Sequence, residues 1–152
     1  MASDLPLRPT IATPGSPPMA AAGASLVIRE WTLPGPSYLH VHHSDDEAWH
    51  VLEGLLTFVF ANGEVAAPAG TTVFVPAGLA HTYRASEGTR YLIILTPKID
   101  RLIERLLDPN QPDDVRPTLR AFDTELLEHH AAPNSSDPPS GAERPANSPA
   151  PS

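Results

Sequence analysis

The stretch Tyr38-Leu39-His40-Val41-His42-His43-Ser44-Asp45-Asp46-Glu47-Ala48-Trp49-His50-Val51-Leu52-Glu53-Gly54, residues 38–54, decides the fold. Successive side chains on a strand point to opposite faces, so His40 and His42 present two imidazoles to the same side. Ser44-Asp45-Asp46 is turn chemistry, after which β-branched and aromatic residues resume and end at Glu53-Gly54. The chain therefore returns on a neighbouring strand that begins with a carboxylate, Glu47, beside the histidine pair.

Outward from this stretch the same short-strand rhythm continues. Residues 25–33, 38–42, 48–52, 55–60, 71–75, 81–85 and 91–95 each read as strands. Turn signals separate them: Pro34-Gly35-Pro36, Asn62-Gly63, Ala69-Gly70, Pro76-Ala77-Gly78 and Glu87-Gly88. Seven short strands with turns this regular predict an all-β barrel or sandwich rather than alternating βαβ units. Thr96-Pro97 then reads as an N-cap followed by proline at the first helical position, with Ile99, Leu102, Ile103 and Leu106 at helical spacing. A second helix is expected over about 114–129, with Val115, Leu119, Phe122 and Leu126 on one stripe. Both stripes are expected to pack on the barrel or on a partner subunit.

The two ends differ in composition. Met1 to Ala24 holds Pro6, Pro9, Pro14, Pro17 and Pro18, and Ala131 to Ser152 holds six prolines among Ala, Ser and Asn. Such segments bury too little apolar surface to offset their ordering entropy. The expected organisation is a disordered 1–24, a barrel over 25–97, helices over 98–130 and a disordered tail over 131–152.

Cysteine is absent, which excludes disulfides, thiolate metal sites and a cysteine nucleophile. The net charge is −8, and the nine arginines and one lysine, Lys98, are scattered. This argues against nucleic acid or an anionic membrane as partner. No apolar run approaches the roughly 20 residues of a membrane helix, and no targeting segment stands out, so a cytoplasmic protein is expected. No Gly-rich phosphate loop or serine nucleophile elbow is present either.

His81 lies 34 residues beyond Glu47, just after Pro76-Ala77-Gly78. Closing a barrel makes neighbours of strands far apart in sequence, which makes His81 the natural fourth member of the group. Three imidazoles and one carboxylate suit a divalent transition metal: Fe, Mn, Ni, Co, Cu or Zn. By strand parity Tyr38 shares the face of His40 and His42, Trp49 that of Glu47 and Tyr83 that of His81. This aromatic trio is either pocket wall or barrel filling. His43 and His50 fall on the opposite parity and are expected outside the site.

These residues resemble the cupin superfamily, the small single-domain cupin-2 type. Its first motif corresponds to Gly35, His40, His42, Glu47 and Gly54, and its second to Gly70, Pro76, Gly78 and His81. Gly35 stands one residue closer to His40 than is usual, and Ala85 occupies the place of a usual asparagine. The resemblance implies a double-stranded β-helix (jelly-roll) barrel, with metal ligands His40, His42, Glu47 and His81. It also implies a small-molecule substrate and a homodimer. Among the activities it allows, a dioxygenase-type oxidoreductase with Glu47 also accepting a proton is the leading expectation. The alternatives are a polyketide cyclase or isomerase using the metal as Lewis acid, and a non-catalytic binding or sensing module.

Overall fold

The computed structural model describes residues 7–129. The expected tail over 131–152 lies outside the described residues. In chain order the elements are β1 (Ala20–Ala22), β2 (Val27–Trp31), β3 (Tyr38–His42), β4 (Glu47–Glu53), β5 (Leu55–Phe60), β6 (Gly63–Pro68), β7 (Thr72–Val75), β8 (Thr82–Ala85) and β9 (Arg90–Leu95), then α1 (Pro97–Leu106), α2 (Arg116–Ala121) and β10 (Thr124–His129). One sheet runs β1-β2-β9-β4-β7, and two smaller ones run β6-β5-β8 and β10-β3. A single bridge pairs His40 with His81. The His40 N–H donates to the His81 carbonyl at 3.1 Å, and the His81 N–H donates back at 2.9 Å. That bridge joins the smaller sheets into a second five-stranded layer, β10-β3-β8-β5-β6. Two antiparallel layers face each other, which is the expected all-β jelly roll.

The core lies between the layers. Alternate residues of each strand point inward, so Trp49 and Val51 of β4, Tyr91, Ile93 and Leu95 of β9, and Leu56 and Phe58 of β5 are almost wholly buried. At roughly 25 cal/mol per Å² of apolar surface, each large side chain so buried contributes about 2–3 kcal/mol. Trp49 packs edge-on against Phe58 with ring centroids 5.1 Å apart.

α1 forms as the sequence implies. The Thr96 hydroxyl accepts from the Ile99 N–H at 3.3 Å, Pro97 opens the helix, and Ile99 and Leu102 are buried. Arg29 on β2 clamps it through two bonds to Asp100, at 2.7 and 2.8 Å. Among the described residues no helix is long and apolar enough to cross a membrane.

Three strands depart from expectation. The second helix stops at Ala121 instead of continuing to about residue 129; Asp123 adopts a left-handed φ of 53° and the chain enters β10. β10 pairs antiparallel with β3, placing Thr124 opposite His42 and Leu126 opposite His40. Leu126 fits both a helical stripe and a period-2 strand, and the open edge of β3 decides between them by supplying backbone partners. β6 pairs with β5 along its length, from Phe60↔Gly63 to Leu55↔Pro68. Its sequence, Gly-Glu-Val-Ala-Ala-Pro, has little intrinsic strand preference. Ala20–Ala22, expected to be disordered, form β1 on the edge of β2. Edge pairing needs only backbone groups, which alanines supply.

Candidate metal centre

His40 and His42 come from β3, Glu47 opens β4, and His81 precedes β8. All four are buried, at 6, 4, 5 and 1 % exposure. One donor atom from each lies within 4.8 Å of all the others. The Glu47 Oε2 sits 2.8 Å from His81 Nε2 and 3.1 Å from His42 Nε2. The four residues grouped from the sequence are thus brought together by the fold. His43 instead reaches Glu125 at 3.2 Å, and His50 reaches Thr72 at 2.8 Å, both on the exposed side.

The outer nitrogens fix how the rings face the cluster. His81 Nδ1 lies 2.9 Å from the Leu79 carbonyl, which can only accept, so Nδ1 carries the proton. His42 Nδ1 lies 2.7 Å from the Thr124 hydroxyl, whose own hydrogen goes to the Phe122 carbonyl at 3.1 Å; Nδ1 of His42 is therefore also the donor. His40 Nδ1 faces the Tyr38 carbonyl at 3.3 Å. In the neutral tautomers this leaves bare Nε2 lone pairs of His42 and His81 against a carboxylate oxygen. Lone pairs at such distances repel unless a cation sits among them. Outer hydrogen bonds of this kind orient histidines for metal binding, so the donor set fits a divalent metal ion.

The electrostatics agree. Burial, and then the neighbouring His81 and His42, push the His40 pKa down to about 3, so its imidazole is neutral and able to ligate. A neutral imidazole is the form that binds metal.

The cluster forms the base of a cavity of about 350 Å³. Tyr38, Trp49 and Tyr83 all line it, as does Trp31 on β2, which strand parity around the histidines did not single out. The cavity is roofed by the apolar side of α1 and α2, through Ile99, Leu102, Ile103, Leu106 and Leu119. The Tyr91 hydroxyl donates to the Leu33 carbonyl at 2.6 Å, so at its 3.0 Å contact with Tyr83 it is the acceptor. Burial raises the Tyr83 pKa well above its ordinary value, keeping that phenol protonated.

Thr124 is the residue that sequence reasoning missed. It lies 82 positions from His42 in a stretch that reads as helix, and only β10 pairing brings it there. Removing its hydroxyl by Thr124→Val frees the His42 ring. The metal affinity should fall by about 10- to 100-fold with the fold intact, as measured by competition with a chromophoric chelator. An unchanged affinity would mean that Thr124 does not position His42.

No curated protein matches the sequence. Among solved structures the chain is similar to a cupin-2 domain containing protein from Shewanella frigidimarina, at 25 % identity over 51 % of this chain and 78 % of that one, with a TM-score of 0.45. It is similar also to a protein from Neisseria meningitidis, at 22 % identity over 53 and 83 % of the two chains, TM-score 0.45. A third is a polyketide cyclase from Streptomyces resistomycificus, at 21 % identity over 49 and 56 %, TM-score 0.41. The family model described as "Cupin domain" matches residues 30–96, which span β3 to β9 and all four members of the cluster. Residues 30–96 of this chain form a cupin-2 type domain.

Proposed function

We propose that the protein is a metal-dependent enzyme of the dioxygenase type acting on a small organic molecule, aromatic ones included. The observation that supports this reading is that the three-histidine, one-carboxylate cluster opens onto a cavity instead of being closed over. A structural metal is fully enclosed by protein ligands, whereas a catalytic one keeps positions for substrate. The cavity volume falls within the range of small-molecule sites, roughly 300–1,000 Å³.

In this reading His40, His42, Glu47 and His81 hold the metal, which is Fe, Mn, Ni, Co, Cu or Zn. A metal there supplies Lewis-acid polarisation of a substrate oxygen and, if redox-active, the electrons for dioxygen chemistry. Tyr38, Trp49 and Tyr83 hold the substrate body. The apolar faces of α1 and α2 exclude water and so strengthen the electrostatics inside. Glu47 is the carboxylate that would both ligate and accept a proton from the substrate.

The test is oxygen uptake with flavonol, catechol and diketone substrates after reconstitution with Fe, Mn, Ni or Co. Uptake matched to product is the expected result. Turnover that proceeds without oxygen would replace the reading with a cyclase or isomerase. Ligand recovered unchanged would make the protein a binding or sensing module.

We also propose a homodimer. Across the outer face of the larger sheet, the register aligns Ala21, Ile28, Ile94, Ala48 and Phe74 in one row, with Phe74 62 % exposed at the edge strand β7. An uncharged apolar row can stack on a second copy of itself without opposing like charges. Light scattering should give twice the chain mass, falling to the monomer for Phe74→Asp. A monomeric wild-type protein would reject the dimer.

A further inference from the structure

The cavity is nearly without charge apart from its base. Among the described residues that line it, Glu47 is the one carboxylate, and none is lysine or arginine. Nearby cations are committed elsewhere: Arg29 to Asp100, and Lys98 to Asp45 at 2.8 Å. The roof from α1 and α2 is aliphatic.

A divalent metal, the Glu47 carboxylate and three neutral imidazoles sum to a single positive charge. One negative charge on a ligand neutralises it. A second would lie in an apolar cavity with no partner, and unpaired buried charge is strongly disfavoured. Size sets a further bound, since a cavity of roughly 150 Å³ suffices for benzene, so this one has room for about two rings.

We propose that the site selects ligands that coordinate as monoanions, enolates or phenolates borne on an uncharged apolar body of one or two rings. It rejects phosphate esters and ligands carrying a further carboxylate. The inference rests on the metal-binding reading and deepens it to a substrate class.

The experiment uses the full chain loaded with zinc, which is redox-inert. Catechol and 3,4-dihydroxybenzoate offer the same pair of oxygens and differ by one carboxylate. Affinity is read by calorimetry. The chain's two tryptophans, Trp31 and Trp49, both line the cavity, so quenching of intrinsic fluorescence places the ligand there. Catechol is expected to bind with loss of one proton and to quench; 3,4-dihydroxybenzoate should bind at least about tenfold more weakly. Leu107→Arg, at a lining position that is 57 % exposed, puts a guanidinium at the rim and should narrow or reverse that gap. Equal affinities, or no catechol binding by protein that retains zinc, would overturn the proposal and leave the metal reading standing. Failure to retain zinc, read by elemental analysis, would overturn both.

Discussion

Replacing His40 and His42 together by alanine is expected to abolish metal retention while the barrel persists. A four-ligand structural zinc site is worth about 10–16 kcal/mol, so two of four donors account for roughly half, or about four to six orders of magnitude in affinity. Elemental analysis of protein purified without added metal should then fall from about one equivalent to less than about a tenth. The barrel persists because the link between β3 and β8 at this point is the pair of backbone bonds between His40 and His81, which alanine retains. The cost is local: with two donors gone, Glu47 Oε2 stays buried 2.8 Å from the His81 Nε2 lone pair with no cation between them. A carboxylate stripped of a buried partner is destabilising, so the melting temperature should fall, and circular dichroism should still report the β fold. Metal content equal to wild type in the double variant would sink the four-ligand site outright.

The members of that site were legible in the sequence because each depends on a local rule. His40 and His42 obey the period of two, Glu47 follows a tight turn, and His81 begins the strand after a Pro-x-Gly turn. What was not legible depends on pairing at a distance. Thr124 reads as part of a helix by its own neighbours, and only the free edge of β3 makes its segment a strand. β6 lacks β-branched residues apart from Val65, yet pairs with β5 along its whole length because the hairpin closes on it. The roof of the cavity has the same origin. Ile99, Leu102 and Leu106 are visible as a helical stripe, but nothing local says that the stripe covers the metal cluster. Ligand identity was therefore written in spacing, and the environment of the ligands in topology.

Gly35 and Gly54 show how the motif glycines act on this environment, and each should lose about 3 kcal/mol or more of stability on replacement by alanine. A Cβ on Gly35 would overlap the Tyr83 carbonyl oxygen and come within 3.0 Å of both Cδ atoms of the Tyr83 ring. Neither side can yield easily. Pro34 and Pro36 flank the glycine and restrict its backbone, and Tyr83 is held in β8 opposite Phe58. A Cβ on Gly54 would stand 2.8 Å from the Thr89 Cα, and the left-handed φ of 83° adds strain of about 1–2 kcal/mol. Gly70 supplies the control, with φ 87° and nothing within 4 Å of a Cβ, so Gly70→Ala should cost only the strain, about 1–2 kcal/mol. Thermal melts of the three variants should thus separate clash from conformation. Gly35→Ala is the decisive member, because its φ is not in the left-handed region and its whole cost must come from contact. It should also weaken ligand binding, since Pro34, Pro36 and Tyr83 all line the cavity. A Gly35→Ala protein that melts with Gly70→Ala would show that the 34–36 segment does not press on β8. If it melts well below, the need at this position is for close approach to β8, a requirement that depends on where the backbone passes and so tolerates the shortened spacing between Gly35 and His40.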